Sequence, residues 1–212
     1  MTSSTLAATR RALDPSFTRH YFIGRGIDLG PGSEPLAGFA GAFPAITALD
    51  TAAWPPEHLE ALPGLADDSY DFVHSDLSLA IVKNCFAALQ RWFALVRPGG
   101  HLILRVPDED MAGRGLYPNP LAPEWKWTFT IYKRQSWSAK SINLVNLIMT
   151  LGEAAEIKRL LSLDGEMDFS APIDFGTPPS GEAGIEAVIR KRREKDVSQG
   201  GRLTPDPILA SV

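Results

Sequence analysis

The chain has 212 residues, 44% hydrophobic and 22% charged, with a formal net charge of −4, which is enough material for one domain around a core. The acidic balance offers no basic face to displace counterions from phosphates, so a nucleic-acid partner is excluded. The single Cys85 excludes an internal disulfide and a multi-cysteine zinc site; with no apolar run of membrane-spanning length and no signal peptide, the expected location is the cytoplasm.

The opening "MTSSTLAATR" is small and polar and is expected to fray, after which Asp14 caps a helix over "DPSFTRHYF". "GIDLG" (26–30) reads as an apolar strand ending in a glycine turn, and "AITALD" (45–50) as a second strand ending in an acid. A short crossover helix over "EPLAGFAGA" is expected between them. "YDFVHSDLS" (70–78) reads as a strand, and "IVKNCFAALQRWFALV" (81–96) carries the apolar stripe of an amphipathic helix, stopped by "RPGG". "HLILRVP" (101–107) is the next strand. Strand, helix, strand in that order implies parallel pairing through right-handed crossovers.

Residues 107–137, rich in proline and aromatic residues and without periodicity, read as an inserted loop or lid. A helix over 138–152 is expected, with Ser138 as cap and Gly152 as stop. "EIKRLLSL" (156–163) and "GIEAVIRK" (184–191) complete the sheet, the basic run 190–195 is its solvated end, and 196–212 is read as a mobile tail. The expected architecture is α/β and doubly wound, a Rossmann-like, mostly parallel seven-stranded sheet with helices on both faces and a final antiparallel strand. It forms a single domain over 1–195.

In such a sheet ligands sit at the carboxyl ends of the strands, where a glycine turn lets them lie against bare backbone. Gly30 and Gly32 fit that demand, but Glu34 and Pro35 stand where a dinucleotide fingerprint needs its third glycine. Asp28 at the strand tip would repel a phosphate and hold a cation, and Asp50, twenty-two residues on, suits a ribose diol. The pair fits a phosphate-free, positively charged nucleoside such as S-adenosylmethionine; turn-forming and capping roles are the alternative.

These residues resemble the class I S-adenosylmethionine-dependent methyltransferases. "GIDLGPGSEPL" is similar to their first motif, "ALD" to the acidic end of their second strand, and "SYDFVHSDLSLA" with "RWFALVRPGGHLILRVP" to their fourth and fifth strands. More narrowly, "VPDED", "WKWTFT", "SWSAKSIN" and "EAGIEAVIRKR" resemble a bacterial subgroup associated with methylating sugars of surface polysaccharides. The resemblance implies that Asp28, Gly30, Pro31 and Gly32 border the methionine part of the cofactor and that Asp50 holds the ribose. It further implies that Leu62 flanks adenine and that Ser75 and Asp76 floor the pocket. The chain departs from the family where Leu79, Ala80 and Ile81 replace Leu-Glu-His, where His58 stands for an adenine-contacting acid, and where Trp125 replaces a histidine.

A hydroxyl acceptor needs a base to take its proton. With those histidines missing, Asp108, Glu109 and Asp110 are the candidates, because "VPDED" leaves its strand at the ligand edge; capping or solvent exposure is the alternative for each. Trp125, Trp127, Phe129 and Tyr132 suit a stacking wall for a sugar or the underside of the lid. His74 reads as a core histidine, and the scattered histidines argue against a metal site. The expected partner is a small-molecule or sugar substrate, with a homodimer as the assembly considered. Two other classes remain: a catalytically silent binding protein and a nicotinamide-dependent oxidoreductase.

Overall fold

The computed structural model describes residues 2–30, 36–39, 41, 43, 46–48, 56–170 and 174–198. In chain order they form α1 (Ser3–Ala12), α2 (Pro15–Tyr21), β1 (Gly26–Leu29), β2 (Ile46–Ala48), α3 (Pro56–Ala61), β3 (Tyr70–Asp76), α4 (Cys85–Leu95) and β4 (Val96–Pro107). There follow β5 (Thr128–Thr130), β6 (Ser141–Asn143), α5 (Leu144–Met149), β7 (Ala155–Leu163), β8 (Gly184–Lys191) and α6 (Glu194–Ser198).

The main sheet runs β2-β1-β3-β4-β8-β7, parallel from β2 through β4, with β8 antiparallel to both its neighbours. The expected doubly wound order and antiparallel strand are present. The main sheet has six strands rather than seven among the described residues. Between α3 and β3, Leu62, Gly64 and Asp68 adopt positive φ of 44°, 82° and 55°, a left-handed geometry that an extended strand cannot contain.

The two faces of this sheet differ. Ile27, Leu29, Val73, Leu102, Leu104, Val106, Ile185, Ala187 and Ile189 belong to the main core cluster together with α4 and α5. Alternation puts Asp28, His74, Arg105 and Glu186 on the other face, beside Phe72, Ile103 and Val188. That face is covered by α1 and α2 through Ala8, Phe17 and Phe22.

Helix α4 begins at Cys85, where Asn84 Oδ1 accepts from the amides of Phe86 and Ala87. It ends without a gap in β4; the "RPGG" stop lies inside the strand, at the register shift against β3, with Gly99 at φ 94°. Trp92, fully buried on α4, donates its indole N–H to the Leu59 carbonyl at 2.7 Å and so fixes α3.

Four other expectations need correction. The first residues do not fray: Thr2 caps α1, whose Ala7, Ala8 and Arg11 are buried. Asp14 caps α2 as expected, through the amides of Ser16 and Phe17. The "EPLAGFAGA" crossover is, where described, a 3-10 turn over Leu36–Phe39, since the glycines and Pro35 leave too little helix-forming chain. The 107–137 segment is not a free loop: β5 pairs in parallel with β6, and Asp108 bridges to Phe129, so the insert is stitched to the end of β4. The helix expected over 138–152 is short. Residues 141–143 are strand, Asn143 rather than Ser138 caps α5, and Ser138 closes a turn by accepting from Lys140 N. After the last strand, 194–198 form α6. No described helix is long and apolar enough to cross a membrane.

Candidate functional site

At the tip of β1 the Asp28 carboxylate is buried and fully engaged. Oδ2 accepts from the Leu36 amide at 3.0 Å, and Oδ1 lies 2.7 Å from His74 Nδ1. Asp28 thus ties the chain on the far side of 31–35 back to the strand. Gly30, at φ 62°, has no room for a side chain, because a Cβ there would sit 2.5 Å from Ser78 Oγ. That hydroxyl donates to the carbonyls of Leu29 or Gly30. Bare backbone at this turn is therefore needed for the close approach of Ser78. Pro31, Gly32 and Asp50 lie outside the described residues. Ser75 sits in register beside Leu29, and its buried hydroxyl has no hydrogen-bond partner among the described residues; it is a polar group that a nucleoside-type ligand at the strand tips fits. Leu62 is fully buried in the core beside α3.

Asp76, at the end of β3, faces Arg105 across the strand pair. Burial opposes its charge, but Arg105 overcomes that and holds the carboxyl well below the usual range. Arg105 also reaches Ser3 and Ser4 on α1 at 3.3 and 3.1 Å. A second cluster lies alongside. Arg11 Nη1 is 2.8 Å from His74 Nε2, and Arg11 Nε donates to Glu186 at 2.8 Å. Arg10 spans Glu186 and Glu182. Burial works against the Glu186 charge, yet Arg11 and Arg10 bring its carboxyl down to about 2. Sequence reading missed Arg10, Arg11, Arg105 and Glu186. The available signal was polar residues at inward alternating positions on three strands, Asp28, His74 and Glu186, which demand a polar cover.

The three acids after β4 separate. Asp108 is buried and its Oδ1 caps the following turn through the amides of Asp110 and Met111, at 2.8 and 3.0 Å. Burial raises its pKa, partly offset by those two amides. Glu109 is buried against Lys133, whose Nζ is 2.6 Å from Oε1, and Ser136 donates to its other oxygen. Asp110 takes both Tyr132 and Lys133; burial opposes its ionisation, but these donors lower its pKa.

A cavity of about 580 Å3 opens at the carboxyl ends of β3 and β4. The start of α1 (Ser3, Leu6), Leu77, the 119–125 stretch with Trp125, and residues 178–183 line it. Two non-glycine residues on its wall, Leu77 and Ala183, have φ of 60° and 47°. Such strain gathers at functional sites. Asp108, Glu109 and Asp110 are not among its lining residues; Glu124 and Glu182 are its charged groups. Among the described residues no cluster of three His, Cys, Asp or Glu is placed to hold a metal.

The family model described as "Methyltransferase domain" matches residues 7–146. Among solved structures, an S-adenosylmethionine-dependent methyltransferase from Archaeoglobus fulgidus is 13% identical, covering 90% of this chain and 95% of that one, with a TM-score of 0.56. A counterpart from Mesorhizobium loti is 17% identical (87% and 100% covered, TM-score 0.51), and one from Listeria monocytogenes is 13% identical (89% and 100%, TM-score 0.51). At such identities the likeness is one of fold. A search of curated proteins finds no match. The family match sets aside the nicotinamide-dependent alternative. With its strand order, its glycine turn and this match over two thirds of its length, the chain belongs to the methyltransferase-domain family and is a class I S-adenosylmethionine-dependent methyltransferase.

Proposed function

We propose that the chain methylates a hydroxyl of a small, sugar-class acceptor held in the cavity beside Leu77, as in the polysaccharide-modifying subgroup it resembles. One observation carries this reading: a ring-sized cavity with a strained rim at the carboxyl ends of the parallel strands. Trp125 offers it a flat wall, and Ser180 and Glu124 offer hydrogen bonds. Its described lining holds two carboxylates and no lysine, arginine or histidine, which favours a neutral ring over a phosphorylated one.

S-adenosylmethionine supplies an already activated methyl group, so the protein has to align, exclude water and accept a proton. We assign cofactor binding to Gly30, Pro31, Gly32, Asp50, Ser75 and Asp76, with Leu62 confined to the core and Asp28 holding the Leu36 amide. Asp108 is assigned as the base; it is not itself on the cavity's lining, but its carbonyl accepts from the amide of Ala112, which is. It is the only one of the three acids with no described cationic partner, and its raised pKa makes it the better proton acceptor. Glu109 and Asp110, engaged by Lys133, anchor the insert.

The test is incubation with methyl-labelled cofactor and separate panels of free sugars, sugar nucleotides and amines. Label on free sugars is expected; label confined to amines replaces the reading. Asp108→Asn keeps the cap, since an amide oxygen still accepts. It should lower turnover about a hundredfold with unchanged S-adenosylhomocysteine affinity, whereas an unchanged rate removes the base assignment. A catalytically silent binding protein is the second reading, favoured by the internal pairing of Glu109 and Asp110; cofactor binding without transfer to any panel is its signature. A cytoplasmic location and a homodimer belong to the same proposal, the latter checked by light scattering.

A further inference from the structure

Helix α1 is held to the sheet by an arrangement that burial alone does not favour. Arg11 is 1% exposed, and its Nη2 finds no hydrogen-bond partner among the described residues. Arginine is almost never fully buried unless paired, and an orphaned donor in such a place calls for an explanation. Buried ion pairs are weak contributors to stability in themselves, because desolvation offsets their attraction.

The hydrogen bonds run in one continuous line. An arginine can only donate, so His74 Nε2 accepts from Arg11, and His74 Nδ1 carries the proton that it donates to Asp28 Oδ1. Asp28 Oδ2 then holds Leu36 N, at the far end of the 31–35 segment. In the other direction Arg11 meets Glu186, Glu186 meets Arg10, and Arg10 grips Glu182 on the cavity wall. Ser3 and Leu6, on the same helix, line that cavity directly. One end of the line is Leu36, next after the 31–35 stretch assigned to the cofactor, and the other is the wall of the cavity.

We propose that Arg11 and His74 are positioning residues that couple the cofactor loop to α1, so that cofactor binding clamps α1 against the sheet and completes the cavity wall. The coupling rests on the cofactor-site assignment made under the proposed function and is independent of what the cavity holds. By reciprocity, whatever loosens α1 through this line weakens cofactor binding by the same factor.

The experiment uses the full chain and S-adenosylhomocysteine as probe, and needs no acceptor. In the unmodified protein, the probe should slow hydrogen exchange of the α1 amides about tenfold; exchange in α1 that ignores the probe overturns the proposal. Calorimetric titration of Arg11→Met, His74→Leu and the double variant follows. Each single change should raise the probe's Kd about tenfold, and the double variant should be no worse than either, because both cut one line. Losses that multiply in the double variant overturn the coupling, as does wild-type affinity in Arg11→Met. Should Arg11→Met fail to fold, His74→Leu alone decides: the probe still binds it but no longer protects α1, and retained protection overturns the proposal. No binding of the probe to the unmodified protein would overturn the cofactor assignment and this inference together.

Discussion

The two faces of the sheet obey different rules. Under α4 and α5 the strands present an apolar layer, interrupted by Ser75 near the strand tips, whose members are nearly all fully buried. Under α1 the same strands present Asp28, His74, Arg105 and Glu186, as deeply buried but held by directional bonds. The first face tolerates any close-packed apolar filling of similar volume. The second specifies a fixed set of partners for each group, and so binds the position of α1 to the strand tips. Stability is concentrated on one face and positional information on the other.

Trp92→Ala should give the largest effect, a loss of about 4 kcal/mol in chemical denaturation, since it removes the largest side chain of the apolar face. A loss under about 1 kcal/mol would mean that α4 is not the keel of that face. Glu186→Gln should cost about 3 kcal/mol by leaving the buried Arg11 without a counter-charge and Arg10 with Glu182 alone. The same residue sets a pH dependence. Its folded-state pKa of about 2 lies below its ordinary 4.5, so its contribution is fully present above pH 4.5 and is lost as pH falls through about 2. The variant's stability should therefore be flatter over that window, and parallel curves would show that the charged face is not held by this carboxylate. Ser78→Ala should cost about 1 to 2 kcal/mol, because its buried hydroxyl serves the carbonyls of Leu29 and Gly30. Smallest of all, Lys191→Ala breaks a pair with the half-exposed Asp68 and should cost less than about 1 kcal/mol.

The apolar face was legible from the sequence, because periodicity reports it: the strands at 70–76, 155–163 and 184–191 and the helix ending at Leu95 fall where alternation and the 3.6-residue stripe put them. The charged face was not, because the rule that arginines face water fails when their partners lie more than 170 residues away, as Glu186 does from Arg10 and Arg11. For the same reason "MTSSTLAATR" reads as a frayed end. Asp28 drew notice as a strand-tip acid, but its binding to His74 is a fact of strand register that a single sequence does not print. Leu77 and Ala183 carry positive φ without being glycine, asparagine or aspartate, so no local signal marks the cavity rim. The β5–β6 pairing escaped because three-residue strands are too short for periodicity to show.

The placement of β8 between β4 and β7 has a bearing on how the molecule assembles. During synthesis, β7 emerges with no neighbour to zip onto until 184–191 have been threaded beside β4, and the 180–183 side of the cavity is missing until then. A half-made chain can therefore form the bend after β1 while the hollow beyond β3 and β4 still stands open on one side.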